Sequence, residues 1–185
     1  MGIGLFGVID LLAAVIVVIT ACYLCGKLII ATRNKQILVV DEHTPFTVTE
    51  RDDKSITLRT SLHFHNDGTS CATLLDCFAR PQMPYEQYDG CAVSAKLERE
   101  GVPREDGYFE SYIIEHKEAV NMIVYVTLTA RKGLTLEEAL SHMVSFPVEV
   151  IYEESGRTPC EYKKVRVEVM REDIGRAAGI EMAED

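Results

Sequence analysis

The stretch SITLRTSLHFHNDG, residues 55–68, decides how most of the chain folds. Ile56, Leu58, Leu62 and Phe64 fall on one side of a two-residue period, and Thr57, Arg59, Ser61, His63 and His65 on the other. Such alternation marks a strand with one face against a core and the other in water. Asn66-Asp67-Gly68 then supplies turn residues, and Asp-Gly is a strong hairpin signal because both positions tolerate positive φ. Cys71 to Ala79 is therefore expected as the hairpin partner and, being apolar on both faces, as a central strand.

The same period continues outward. Cys91, Val93, Ala95 and Leu97 alternate with Ser94, Lys96 and Glu98, and Tyr108 to Glu115 resumes after a charged loop from Glu98 to Gly107. Ala119 to Arg131 is the longest strand signal, with Val120, Met122, Val124, Val126, Leu128 and Ala130 on one face. Pro147 to Tyr152 and Val165 to Val169 close the set, and Phe46 to Val48 and Ile37 to Val40 open it. One helix interrupts: Thr135-Leu136-Glu137-Glu138 is a capping box, and Leu136, Leu140 and Met143 lie along one side of the helix it starts. Eight or nine short strands with turn signals between them predict a mainly β fold, an antiparallel sandwich over residues 46–170 with one short helix. Residues 171–185 have little to bury and read as a flexible tail.

Residues 5–31, LFGVIDLLAAVIVVITACYLCGKLIIA, break this pattern. At about 1.5 Å per residue they reach roughly 40 Å as a helix, enough to cross a hydrocarbon core of about 30 Å with some tilt. Only Asp10 and Lys27 carry charge inside the run. The β-branched series Val15 to Ile19 would suit a strand in water, but in lipid every backbone group must be satisfied within the segment, which selects helix. A cleaved signal is disfavoured by the missing basic n-region and the length of the apolar core. Ile19-Thr20-Ala21-Cys22 resembles a lipoprotein box, yet the apolar run continues past Cys22, and Phe6 stands where a myristoylation signal has Ser or Thr. The reading is an uncleaved anchor over 1–31, followed by a juxtamembrane linker and possible first strand over 32–45. At about 3.3–3.6 Å per residue, Thr32 to Gln36 would hold the domain within roughly 20 Å of the bilayer. Lys27, Arg33 and Lys35 flank the span on its C-terminal side only, so the positive-inside rule predicts a single-pass protein of the cell membrane with its domain cytoplasmic. Gly7, Asp10, Ala14 and Ala21, with Gly4, Val17 and Cys25 nearby, form a small-residue stripe expected to meet another transmembrane helix, a second copy or a different subunit.

The layout resembles immunoglobulin-like sandwiches and, in having an anchor before such a domain, the late-embryogenesis-abundant type 2 sandwich. The chain has no Trp, so the core Trp of antibody-type domains is absent, and Asn66-Asp67 stands where the second family commonly has Asn-Pro. The resemblance is one of shape and implies no site residue.

Composition limits function. The 185 residues carry a formal net charge of −10, which argues against nucleic acid and against an anionic-lipid face. Of the six cysteines, Cys22 and Cys25 lie inside the span as small apolar packing. Cys71, Cys77, Cys91 and Cys160 allow three disulfide pairings in an oxidising compartment and none in a reducing one.

His63 and His65, about 6.5 Å apart on one strand face, are the weak metal candidates, with Asp76 or Cys77 of the presumed partner strand as further ligands. Glu98, Glu100, Glu105 and Asp106 lack the spacing of a calcium loop and are interleaved with Arg99 and Arg104. Ser61, Ser70, Ser111 and Cys160 lack a strand–elbow–helix setting or a neighbouring base. Tyr85, Tyr88, Tyr108 and Tyr112 could gather near one end as an interface. No cofactor and no catalytic residue is expected. The sequence thus predicts a non-enzymatic, membrane-anchored protein-interaction or scaffolding module. Its alternatives are a metal- or thiol-dependent enzyme using His63 and His65, or a carrier of lipid or small ligand between the sheets.

Overall fold

The computed structural model describes residues 5–33, 35–106 and 108–183. Gly4 of the small-residue stripe, Gly107 of the charged loop and the side chain of Tyr108 lie outside what is described. The chain divides into two compact units between Lys35 and Gln36.

The first unit is helix α1, Leu5–Arg33. From Gly7 to Arg33 it is long and apolar enough to cross a membrane, with a mean hydropathy of 2.6. Its hydroxyls turn inward on the helix itself: Thr20 Oγ1 donates to the Ile16 carbonyl at 2.8 Å, and Thr32 Oγ1 to that of Leu28 at 2.9 Å. Neither then requires water.

The second unit is the expected sandwich of two antiparallel sheets. Its strands are β1 (Leu38–Val40), β2 (Thr47–Arg51), β3 (Ser55–Asn66), β4 (Ala72–Pro81), β5 (Cys91–Arg99), β6 (Tyr108–Ile114), β7 (Ala119–Ala130), β8 (Phe146–Ser155) and β9 (Glu161–Val169). One sheet runs β1-β3-β7-β5, with β2 sharing the β1 edge of β3, and the other runs β6-β4-β8-β9. The core between them is the set that alternation selects. Leu58, Leu62 and Phe64 of β3, Val124, Val126 and Leu128 of β7, Leu74 of β4, and Val148 and Val150 of β8 are all buried. The Phe64 ring meets the Tyr152 ring edge-on at 5.4 Å.

The hairpin expected at Asp67-Gly68 does not form. β3 pairs with β7, from Ser55 opposite Thr129 to His65 opposite Ala119, while β4 crosses to the other sheet and pairs with β6 and β8. The reason is the buried amide of Asn66. Its Oδ1 accepts from the amides of Ile37 (3.2 Å) and Gly68 (3.0 Å), and its Nδ2 donates to the carbonyls of Ser70 (2.8 Å) and Ile114 (3.1 Å). This local turn satisfies the backbone after β3 without β4 pairing beside it. The central position expected for β4 is correct, although Asp76, at φ 49°, bulges the strand where its register with β8 slips.

Two short helices complete the unit. α2 (Leu136–Ser141) has the expected capping box, with Thr135 Oγ1 accepting from the Glu138 amide and Glu138 reaching back to the Thr135 amide. The tail expected to be loose over 171–185 instead forms α3 (Arg171–Ala178), ended by Gly179 in the left-handed region at φ 67°. Ile174 and Ala178 are buried, and Arg51 Nη1 donates to the Ala178 carbonyl at 2.8 Å. The possible first strand expected within 32–45 forms as β1, and Gln36 just before it is buried, its Oε1 accepting from the Arg157 amide at 3.1 Å in the β8–β9 turn. β9 is an open edge whose side chains include Lys163, Lys164, Arg166 and Glu168.

Candidate functional site

The outer face of the five-stranded sheet carries a row of polar side chains fixed by register. β1 places Val39 opposite His65, and the Asp41 amide continues that ladder by donating to the His63 carbonyl at 2.9 Å. β7 places Asn121 opposite His63, and the Glu100 amide donates to the Asn121 carbonyl at 2.9 Å. Asp41, His63, Asn121 and Glu100 therefore lie side by side across neighbouring strands.

These side chains are coupled in one direction. Asn121 Nδ2 donates to Glu100 Oε2 at 2.7 Å, and Arg59 Nη2 lies 3.7 Å from the other oxygen of that carboxylate. A carboxylate can only accept, so Asn121 must turn its amide nitrogen to Glu100 and its oxygen to His63. His63 Nδ1, 2.8 Å from Asn121 Oδ1, must then be the protonated nitrogen. In the neutral ring its Nε2 is left with a lone pair. His65, two residues on, stands with its ring 5.7 Å from that of His63. Its Nε2 lies 3.4 Å from Asp67 Oδ2, and its Nδ1 lies 3.7 Å from Asp41 Oδ2. That Nδ1 is buried and makes no hydrogen bond.

The sequence candidates separate. His63 and His65 share a face as expected, but Asp76 and Cys77 belong to β4 in the opposite sheet and do not join them. The third group is Asp41, which the pairing hypothesis missed. The alternation of Val39 and Asp41 beyond β1 was the signal that could have found it. Burial pushes the Cys77 thiol up to about 12, helped by the Asp76 charge, and the Cys91 thiol up to about 11. Thiols so firmly protonated are poor nucleophiles. Cys71 and Cys160 are exposed, and all six cysteines are free thiols.

In the charged loop, Glu98 and Asp106 meet basic partners. Glu98, expected on the wet face, is buried. Burial opposes its ionisation, but Lys96 Nζ at 2.5 Å and the Arg104 amide at 2.9 Å outweigh it and hold the carboxyl below its ordinary range. Arg104 also binds Asp106 at 3.0 Å. The tyrosines serve separate local roles: Tyr85 OH accepts from the Val93 amide, Tyr88 OH donates to the Ala139 carbonyl, and Arg99 lies 4.5 Å over the Tyr112 ring. Among the other imidazoles, His43 engages Thr44 and His116 the Gly68 carbonyl.

No protein-family model matches the chain, and no curated protein matches it. Among solved structures, the chain is similar to the GAE domain of GGA2p from Saccharomyces cerevisiae. The identity is 12%, covering 74% of this chain and 99% of that one, with a TM-score of 0.35. The yeast GGA1 GAE domain is similar at 11% identity, covering 71% of this chain and 90% of that one, with a TM-score of 0.34.

Proposed function

We propose that the chain is a single-pass, membrane-anchored β-sandwich that acts as a protein-interaction or scaffolding module of a membrane complex, without catalysis of its own. The observation that carries this reading is the surface of α1. Leu11, Ile16, Val17 and Leu28 are each more than 60% exposed, on every side of the helix. Leaving such a surface in water costs about 25 cal/mol per Å² of apolar area, whereas a bilayer accommodates it. The carrier reading loses ground because the space between the sheets is filled by Leu58, Phe64, Leu74, Val124 and Val150. The thiol-enzyme reading loses ground because Cys77 and Cys91 are held protonated. Lys27, Arg33 and Lys35 favour a cytoplasmic sandwich in the cell membrane.

The test has two arms. Membranes bearing the full chain are washed with alkaline carbonate, and the chain is expected to remain in the pellet; its release would refute anchoring. Photo-crosslinking residues are then placed at Arg59, Tyr125 and Tyr162 in separate variants. A discrete adduct, dependent on position, supports an interaction module, and crosslinks to lipid or solvent alone from all three positions would refute it. For orientation, an impermeant thiol reagent outside intact cells should miss the exposed Cys71 and Cys160. Labelling of either from outside would reverse the topology.

A further inference from the structure

We propose that Asp41, His63 and His65 form a site for one borderline divalent transition-metal ion, zinc foremost. One ligand atom from each residue lies within 4.8 Å of the others. Zinc bonds of about 2.0–2.2 Å set tetrahedral ligand atoms roughly 3.3 Å apart, so side-chain rotation on fixed strands is enough to close the set. Two imidazoles and one carboxylate are the donors such an ion prefers, whereas calcium and magnesium require an all-oxygen shell.

Two further observations go beyond proximity. Imidazoles that bind metal characteristically donate their other nitrogen to a carboxylate, carbonyl or similar acceptor, which fixes the tautomer. His63 does this through Asn121, itself held by Glu100. In the neutral ring this relay selects the tautomer whose Nε2 lone pair is open, the form a metal needs. His65 shows the complementary sign: Nε2 faces Asp67, while Nδ1 is buried, faces Asp41 and has no hydrogen-bond partner. A buried ring nitrogen without a partner costs free energy that a bound cation would recover. The charge balance agrees. Asp41, Asp67 and Glu100 approach from three segments, and Arg59, a cation drawn into the network, is engaged by Glu100. Three protein ligands leave a fourth position to water in the isolated chain.

The purified full chain in detergent is stripped with chelator and titrated with zinc chloride, counting bound metal by equilibrium dialysis and elemental analysis. One zinc per chain is expected, with Kd on the order of 1 μM, weaker than four-ligand structural sites. Cobalt chloride should produce the visible bands of a tetrahedral or five-coordinate ion. His63→Ala and His65→Ala should each weaken binding at least tenfold, and Asp41→Asn about as much. Asn121→Ala keeps all three ligands and should weaken binding roughly tenfold by freeing the His63 ring. His142→Ala, at the end of α2, should change nothing. The thermal midpoint of each metal-free variant checks folding, and a variant that loses its fold is replaced by the Asn121 and Asp41 changes, which decide alone. Absence of stoichiometric zinc at about 100 μM, or binding unchanged in Asp41→Asn and Asn121→Ala, would overturn the site.

Discussion

Val15-Ile16-Val17-Val18-Ile19 of α1 and Met122-Ile123-Val124-Tyr125-Val126 of β7 are close in composition, yet they meet their surroundings in opposite ways. The first lies 47% to 65% exposed, and in the second Met122, Val124 and Val126 are 1% exposed or less. What differs is the company each keeps. Along β7 the positions between the core residues include Asn121, Thr127 and Thr129, with Ile123 the buried exception, so much of one face can be wet while the other is buried. Around Val17 no polar partner recurs at either period, and no water-facing side can be made. β-branched residues favour strands only where a pleated, half-buried surface exists to receive them. Pattern and length, more than side-chain type, assign the solvent.

That contrast can be broken at either end. Leu128→Ala in β7 empties space in a closed core and should cost about 2–5 kcal/mol, read from denaturant unfolding of the full chain in detergent. A loss below about 1 kcal/mol would mean that the sheets are not packed as described. Val17→Arg in α1 should leave the sandwich's unfolding unchanged but cost about 2.5–3.5 kcal/mol of membrane insertion, visible as a larger carbonate-soluble fraction. Unaltered partition would remove the bilayer from the argument.

Alkali sharpens the contrast, because it acts on groups enclosed by the sandwich. The Cys77 and Cys91 thiols hold their protons to about 12 and about 11 in the folded state, against an ordinary 9.0. Folding therefore gains from them in full below pH 9, and that gain is lost as pH rises towards those values. Within that interval stability should fall by about 1.4 kcal/mol per pH unit for each thiol. Unfolding curves under reducing conditions from pH 8 to 11 would measure the slope, and Cys77→Ala with Cys91→Ala should flatten it. An equal slope in the double variant would assign the loss to other groups. The smallest effect belongs to the outer face of the four-stranded sheet, where Lys164 Nζ meets Glu149 at 2.6 Å with the lysine well exposed. Lys164→Ala should cost no more than about 1 kcal/mol and less in high salt.

Much of the sandwich was legible because alternation reports which face is buried. Every inward residue named for β3 is buried, and Thr135 and Glu138 cap α2 as their spacing requires. Strand pairing was less legible, since periodicity gives faces and not neighbours. Asp67-Gly68 pointed to a hairpin, and one buried amide, Asn66, redirected the chain into the other sheet. α3 escaped notice because its apolar positions, Ile174 and Ala178, become informative only once Arg51 and Met182 close around that helix. The histidine face was visible for the same reason as the core. Asp41 was not, because its place beside His63 follows from β1 pairing rather than from distance along the chain.

The open edge at β9 has a consequence for crowding. The proposed anchor would confine molecules to a plane, where encounters between identical domains become far more frequent than in free solution. An unprotected strand edge would then invite one domain to extend the sheet of the next without limit. Lys163, Lys164, Arg166 and Glu168 set charges along that border, so a second copy would have to strip water from them before any backbone pairing began. The charged border therefore acts against open-ended pairing between neighbouring copies.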